Sequence, residues 1–426
     1  MADFKYLVSV VIPVYNVEKY IDLCMQSLLN QTIEFDKMQI LLINDGSTDS
    51  SEELCRVYAE KYDNVFLYTK VNEGASQARN FALDRAEGKY IFYLDSDDTV
   101  KPETIESVCS FFDSVYDEVD LVTYRIVQYY NEKPTIVHYR YMTLLKTGVY
   151  DLNDPKNRFI TQTHMNVCVK NLRENNVKFD TIKHEDEKYC CEILRRKMKI
   201  GFCDKGEYVY NRSNINSVVS TQFSPEHIFE TSMKLYEDLF DSFPGKVPAY
   251  FQGIVFNDFR WKLMDNKFFP LHLQGDEWKK ANRRIDSLLS RMDADTIVLH
   301  PSVSIEHMHY WLKRRGGCTV VNTPREIMVC CEGKNILSLR SLKLSKKVKE
   351  NVTECVLASP VFYHLKKRNV VIKRNGEPID FSFIDTHTDP EHCDPKELYP
   401  KFIVDTDVLS NSVFTVEINS VSYKIN

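Results

Sequence analysis

Residues Leu7–Val14 read LVSVVIPV, a nearly unbroken run of apolar, β-branched side chains. A strand apolar at every position has to be covered on both faces; one wet face would give alternation instead. The same character returns in Met38–Ile43 (MQILLI), Val65–Tyr68 (VFLY) and Tyr90–Leu94 (YIFYL). Helix-like stretches lie between them at Val17–Leu29, Ser50–Lys61 and Ser76–Ala86. Buried strands alternating with helices predict an α/β fold with a Rossmann-like, mostly parallel sheet of the doubly wound kind. Such sheets bind ligands beyond the carboxyl ends of their strands. The polar clusters stand at those ends: Pro13-Val14-Tyr15-Asn16, Asn44-Asp45-Gly46-Ser47-Thr48-Asp49, Asn72-Glu73-Gly74 and Asp95-Ser96-Asp97-Asp98.

Each cluster has a chemical reading. Three carboxylates within four residues, Asp95, Asp97 and Asp98, repel one another unless something positive joins them. An oxygen-rich set of this kind suits Mg²⁺ or Mn²⁺ bridging to substrate phosphates; the bland alternative is a solvated turn before the helix that begins near Pro102. Asp49 reads as structural, a helix cap with Glu52 completing a capping box. Asp45 ends its strand and is placed to accept hydrogen bonds from a nucleobase or ribose. Tyr15 is placed to stack on a base, or else to join the core. Arg79 opens the third helix, where a guanidinium reaches either a phosphate or the carboxylates. Neither G-x-G-x-x-G nor G-x-x-x-x-G-K occurs, which disfavours a hydride-transfer dinucleotide fold and a P-loop nucleotidase.

Composition narrows the classes further. The 426 residues are 43% hydrophobic and 27% charged, a globular balance long enough for two or three domains. Lys and Arg number 55 against 61 Asp and Glu, a net charge of −6, so nucleic acid is not an expected partner. No run approaches the roughly 20 apolar residues of a membrane-spanning helix. The opening Met1-Ala2-Asp3-Phe4-Lys5 does not read as a signal peptide. The 12 Cys are scattered without a C-x-x-C pair, as expected of reduced thiols in a cytoplasmic protein.

Beyond the first half, Ser224–Arg315 has a helical pattern, with Pro225 at a first helical position. Gly316-Gly317 breaks it. Short strands with turn signals follow at Thr319–Val321, Glu326–Cys331, Val352–Leu357, Val370–Lys373, Phe402–Val404 and Val413–Ile418, with Asn375-Gly376 a hairpin signal. The expected organisation is a catalytic domain over residues 1–220, a helical accessory region over 221–318 and a small β-sandwich-like domain over 319–426.

With these residues laid out, a resemblance is plain. The stretches VSVVIPVYNVEKYIDLCMQSLLNQT, NDGSTDSS, NEGASQARN, YIFYLDSDD and HEDEKYCCEIL resemble the family 2 glycosyltransferases of the GT-A fold, in the bacterial surface-polysaccharide type. The resemblance spans about half the chain. It implies that Pro13, Tyr15 and Asp45 hold a uridine base, that Asn72 and Arg79 line the nucleotide pocket, that Asp95 lies near the ribose and that Asp97 ligates the metal. It further implies that Asp186 is the catalytic base, with Glu185 its neighbour. Asn44 stands where many members have Asp, and Thr163–Asn171 lacks a Trp common in relatives. Tyr208-Val209-Tyr210-Asn211-Arg212-Ser213 is similar to a segment near the closing loop, where Arg212 would touch diphosphate or acceptor.

The function so implied is inverting, metal-dependent transfer of a sugar from a UDP-sugar to a hydroxyl of a surface-glycan or polyol-phosphate acceptor. Two other readings compete with it: a binding or assembly protein on the same fold without chemistry, and a nucleotidyltransferase. The lack of a Gly-rich, Lys-containing N-terminal loop counts against the last. The C-terminal region is expected to bind polymeric acceptor or to mediate self-association; Phe362-Tyr363 would stack on sugars or, as strand aromatics more often do, join the core. The basic residues Lys279, Lys280, Arg283, Arg284, Lys313, Arg314 and Arg315 suggest peripheral contact with anionic lipid at most, at the inner face of the membrane; a solvated helix face is the simpler account.

Overall fold

The structure, a computed structural model, describes residues 4–130, 133–137, 139–180, 184–212, 225–264, 273–383 and 399–425. The chain divides into two compact units, residues 1–223 with 248–254 and residues 224–247 with 255–426.

The first unit begins with the strands the apolar runs predict: β1 (Tyr6–Val14), β2 (Met38–Asn44), β3 (Val65–Thr69) and β4 (Gly88–Tyr93). They pair in parallel, with Val10 opposite Ile40 and Phe92, and Ile40 opposite Val65. Helices α1 (Ile21–Leu29), α2 (Ser51–Lys61) and α3 (Ala75–Leu83) connect them. Val8, Val10, Ile12 and Val14 join Ile21, Cys24, Met25 and Leu28 of α1 in one core, while α3 packs on β1 and β2. Both faces are therefore covered, and truncating a core side chain such as Leu42 to Ala would cost about 2–5 kcal/mol. Helix α1 starts later than its apolar pattern, because Val17 to Tyr20 form a turn closed by Tyr20 N–H on the Val17 carbonyl (2.8 Å).

The sheet continues through β5 (Thr99–Val100), α4 (Thr104–Ser114), β6 (Leu121–Tyr130), β7 (Lys133–Val137), β8 (Gly148–Asp151), β9 (Val167–Lys170), α5 (Glu185–Lys197) and β10 (Lys199–Asn211). Its order is β3-β2-β1-β4-β9-β6-β10-β5, with β7 on β6 and β8 on β10. Strand β9 runs antiparallel to both neighbours, while β6 and β10 are parallel. The carboxyl ends of β1, β2 and β4 thus share one edge.

In the second unit, α6 (Pro225–Asp241) begins at the expected Pro225. It is followed by α7 (Ala249–Met264), whose residues from Val255 on belong here, α8 (Gly275–Ser290), α9 (Ala294–Val298) and α10 (Ile305–Arg315). Gly316 and Gly317 both have positive φ and end α10. Three small sheets complete the unit. The first joins β11 (Cys318–Asn322), β12 (Ile327–Cys331) and β13 (Lys334–Leu339). The second joins β14 (Leu344–Lys349), β15 (Val352–Leu357) and β18 (Lys401–Asp405), and the third joins β16 (Val370–Arg374), β17 (Glu377–Ile379), β19 (Phe414–Ile418) and β20 (Val421–Lys424). A short α11 (Thr406–Leu409) follows β18. Asn375 and Gly376 both take φ > 0 between paired strands, the hairpin turn their sequence signals.

Of the two placements expected for Phe362 and Tyr363, the structure has the core one: both are buried in a single 3₁₀ turn, so neither ring is offered to sugars. One expectation is corrected here. Three of the basic helix residues are spent on internal partners. Arg284 binds Glu230 and Glu237, Arg314 binds Asp286 and Asn282, and Arg315 binds Glu332. The boundary expected between residues 220 and 221 lies outside the described residues.

Candidate active site

The rim begins where β2 ends. Asp45 N–H bonds to the Val14 carbonyl (2.9 Å), setting the aspartate beside Tyr15, which is 47% exposed; Pro13 is half-buried opposite Ile43. Gly46 turns the chain at φ +74° and packs so closely that a Cβ there would lie 3.0 Å from Asn72 N. The Asn72 turn is thereby seated on the Asp45 turn, with the Asn72 side chain exposed. The Asp45 carboxylate is only 4% exposed and is ringed by donors: Lys70 Nζ (2.8 Å) and Glu73 N (3.0 Å) on Oδ1, and Gly74 N (2.7 Å) on Oδ2.

Neighbouring polar residues brace this edge. Asp49 accepts from the Ser51 N–H (3.0 Å) and from Glu18 N–H (3.1 Å), so it is structural as expected. Burial pushes its carboxyl up, but these hydrogen bonds outweigh the push and leave it below its ordinary value. Glu52 does not complete a capping box. It takes the Asn44 amide (2.9 Å) and Arg56 instead, which also gives the Asn44 that replaces the common Asp a partner.

At the end of β4 the acidic cluster divides into distinct environments. Asp98 is buried, accepting from Tyr208 Oη (2.8 Å) and Asn211 N–H (2.7 Å) of β10. Burial, then Asp97 and Asp95, push its carboxyl well above the ordinary range. The Tyr208 oxygen also accepts from Asp95 N–H (3.1 Å), so one tyrosine fixes the backbone and the third carboxylate of the motif together. Asp97 is half-buried, and its carbonyl accepts from the Asn211 amide (3.3 Å). Asp95 is 40% exposed and gives Oδ1 to Arg79. Asp95 and Asp97, less buried than Asp98, are the carboxylates of the motif that stand at the rim. A pure oxygen donor set at a partly solvated rim fits Mg²⁺ or Mn²⁺ completed by substrate phosphate.

Arg79 links this cluster to α5. Its guanidinium, 5% exposed, donates to Asp95 Oδ1 (2.9 Å) and Asp186 Oδ1 (2.9 Å) and lies 3.7 Å from Glu185. Residues 79, 95, 185 and 186 thus meet, although they come from three distant stretches of chain. The first turn of α5 carries Glu185, Asp186 and Glu187, where the helix dipole favours negative charge. Asp186 is 30% exposed. Burial raises its carboxyl, Arg79 lowers it, and Glu185 and Asp95 raise it again, with a net rise from 3.8 to about 7.

Several positioning residues carry no signal of their own in the sequence. Asn80, next to Arg79, clamps the Phe179 backbone at both its N–H (2.7 Å) and its carbonyl (2.9 Å). The Phe179 ring stacks on Tyr189 of α5 at 4.0 Å and lies under the Arg79 guanidinium at 5.3 Å. Tyr189 and Tyr93 share a 2.6 Å hydroxyl contact that ties α5 to β4. Arg212 is exposed with its guanidinium over the Tyr210 ring (5.8 Å); Ser213 lies outside the described residues.

A family description, glycosyl transferase family 2, matches residues 9–174. Glycosyltransferase GlyG of Streptococcus pneumoniae is 30% identical over 234 residues, covering 51% of this chain and 74% of the relative. The chain belongs to glycosyltransferase family 2. A longer family relative, the minor teichoic acid biosynthesis protein GgaB of Bacillus subtilis, is 33% identical over 323 residues. That match takes in 74% of this family 2 chain but only 36% of GgaB, so the chain spans about a third of that relative. Among solved structures, S. aureus TarS 1-349 in complex with UDP-GlcNAc superposes with a TM-score of 0.57 at 19% identity, covering 72% of this chain and 87% of the other, which establishes the shared GT-A-like fold.

Proposed function

We propose that this family 2 chain is an inverting, metal-dependent glycosyltransferase that moves a hexosyl or N-acetylhexosaminyl group from a UDP-sugar to a hydroxyl of a surface-glycan or polyol-phosphate acceptor. The observation that carries the reading is the Arg79 bridge. It holds the candidate base, Asp186, and the first aspartate of the acidic motif, Asp95, on one guanidinium. A base and a phosphate-side cluster held at fixed separation are what a single displacement at an anomeric carbon requires.

In this reading Tyr15 stacks on the uracil, Pro13 shapes its edge and Asp45 accepts its N–H. Asn72 lines the nucleotide pocket, and Asp95 binds near the ribose. Asp97, with Asp95 beside it, would hold Mn²⁺ or Mg²⁺, which would supply positive charge against the diphosphate leaving group. Asp186 takes the proton from the acceptor hydroxyl as the oxygen attacks from the face opposite the diphosphate, so the anomeric carbon inverts. Glu185 and Asp95 help keep the base's proton affinity near neutrality, where proton transfer is most effective.

The names of relatives support the substrate classes. GgaB is named for minor teichoic acid biosynthesis, and TarS was solved with UDP-GlcNAc. We assign residues 1–220 to catalysis, 221–318 to an accessory role and 319–426 to acceptor binding or self-association. Among the described residues no helix is long and apolar enough to cross a membrane, and no described cysteine is in a disulfide, which supports work in a reducing, cytoplasmic setting. Any contact with the inner membrane face is peripheral and falls to residues such as Lys280 and Arg283.

The deciding experiment supplies UDP-GlcNAc, UDP-glucose or UDP-galactose with Mn²⁺ and a poly(polyol phosphate) acceptor, and measures UDP release and labelled product. Metal-dependent, acceptor-stimulated release from one donor is expected. Absence of transfer and of Mn²⁺-dependent nucleotide binding across all three donors would overturn the reading.

A further inference from the structure

Lys70 is, among the described residues, the cation bonded to the carboxylate that the proposed donor site would turn toward a nucleobase, and its geometry is unusual for a surface lysine. Its ammonium is 12% exposed and all three of its N–H bonds are placed: on Asp45 Oδ1 (2.8 Å), on Glu73 Oε2 (2.7 Å) and on the Val71 carbonyl (2.8 Å). Its own N–H bonds to the Asn44 carbonyl (3.0 Å), so the residue is fixed at both its backbone and its tip. Burial lowers the proton affinity of the ammonium, but the bonds to Asp45 and Glu73 outweigh this and leave it raised. The lysine is therefore a permanent cation with no N–H left for a ligand. Whatever it contributes to recognition passes through Asp45.

The hydrogen-bond inventory of Asp45 says what that contribution is. An ionised carboxylate offers about four lone-pair positions on its two oxygens. Three are filled, two on Oδ1 by Lys70 and Glu73 N and one on Oδ2 by Gly74 N. One position on Oδ2 remains, and it can only accept. Pyrimidine bases differ at the matching edge: uracil presents N3–H, a donor, whereas cytosine presents a bare N3, an acceptor. Stacking on Tyr15 does not separate them, since every base has a π-face. An acceptor-only carboxylate does, because an unmatched pair of acceptors in a nearly buried site is costly. Without the ammonium, Oδ1 loses one of its two donors and the carboxylate is no longer pinned with its open Oδ2 position toward the base. Uracil would then lose a fixed acceptor for its N3–H, whereas cytosine has no N3–H to lose.

We propose that Lys70 is a specificity-determining residue, which acts by pinning the Asp45 carboxylate as an acceptor at the N3 position of the base and so selects a donor nucleotide whose base carries an N3–H, uracil over cytosine. The proposal rests on the reading that Asp45 faces the base of a nucleotide-sugar. Glu73 is the outer partner of the device, since it fills the ammonium's second position and keeps it from swinging away.

The test is calorimetric binding of UDP and CDP to the full chain with Mn²⁺ at neutral pH, for the wild type, Lys70→Met and Lys70→Arg. The wild type is expected to prefer UDP by about tenfold or more. Lys70→Met should narrow that preference at least severalfold, mainly by weakening UDP, while CDP holds or gains. Lys70→Arg keeps the charge and should keep most of the preference. Should Lys70→Met fail to fold, Lys70→Gln supplies the same uncharged comparison. An unchanged UDP-to-CDP ratio in a folded, uncharged variant overturns the role of Lys70 while leaving the donor reading intact. A wild type that binds neither nucleotide, or both alike, overturns the inference, and in the first case the donor reading falls with it.

Discussion

Replacing Asp186 by Asn tests the proposed mechanism most directly, and the structure fixes both the size and the pH signature of the loss. General-base assistance is worth roughly 10²–10⁴-fold, so Asp186→Asn should lower kcat by about that factor while leaving donor binding nearly unchanged. The wild-type profile carries the sharper prediction. Burial raises the Asp186 carboxyl, Arg79 pulls it down, and Glu185 and Asp95 raise it again, to about 7. A base acts only when ionised, so activity must be lost on the acid side. Below that value kcat/KM should fall roughly tenfold per pH unit, leaving about a tenth of the plateau one unit below it. Removing the neighbouring negative charge in Glu185→Gln lets Asp186 shed its proton at lower pH, so the acid limb should move down. The assay is initial-rate UDP release at saturating Mn²⁺ from about pH 5.5 to about pH 8.5. A flat profile over that range, an Asp186→Asn variant with more than about a tenth of wild-type kcat, or an acid limb that moves up in Glu185→Gln would refute the reasoning.

Other substitutions probe the remaining contacts. Asp97→Ala should weaken Mn²⁺-dependent UDP binding by about 10³-fold, the equivalent of several kcal/mol of charge stabilisation, with no loss of thermal stability; Mn²⁺-dependent binding equal to the wild type would remove its assignment. Arg79→Ala leaves Asp95, Asp186 and Glu185 facing one another without their cation and should cost about 3 kcal/mol of stability, read as a lower Tm or urea midpoint. Tyr208→Phe deletes the hydroxyl shared by Asp95 N–H and Asp98, and should cost about 1–3 kcal/mol along with weaker Mn²⁺-dependent donor binding; a variant as stable as wild type would show that Asp98 finds another partner.

What the sequence made legible follows from the range of the interactions involved. Strands β1 to β4 announce themselves because burial on both faces demands apolar side chains at successive positions. The rim could be located because strand ends in such sheets converge. Strand β10 carries no unbroken period. Gly201 and the Asp204-Lys205-Gly206 stretch interrupt its pattern, and the structure has a register irregularity there, between Cys203 and Glu207. Strand β9 is four residues long and β14 is Lys-rich, as edge strands often are, so neither carries a strong period. In the site, Asp95 and Asp98 look alike on paper, yet one meets Arg79 and solvent while the other meets Tyr208 in the interior. Lys70 and Asp45 are 25 residues apart, and Asn80 and Phe179 are 99 apart. Long-range partners such as these leave no local periodicity to read.

The guanidinium shared by Asp95 and Asp186 also bears on how such enzymes can be rebuilt. Helix α5 cannot be exchanged freely for that of another transferase, because a graft lacking an acid at its second residue would take from a buried guanidinium one of its two bonded carboxylates. The start of α3, the tail of β4 and the head of α5 form a single transplantable cassette, and chimeras that respect its seams should fold where those cut through it do not.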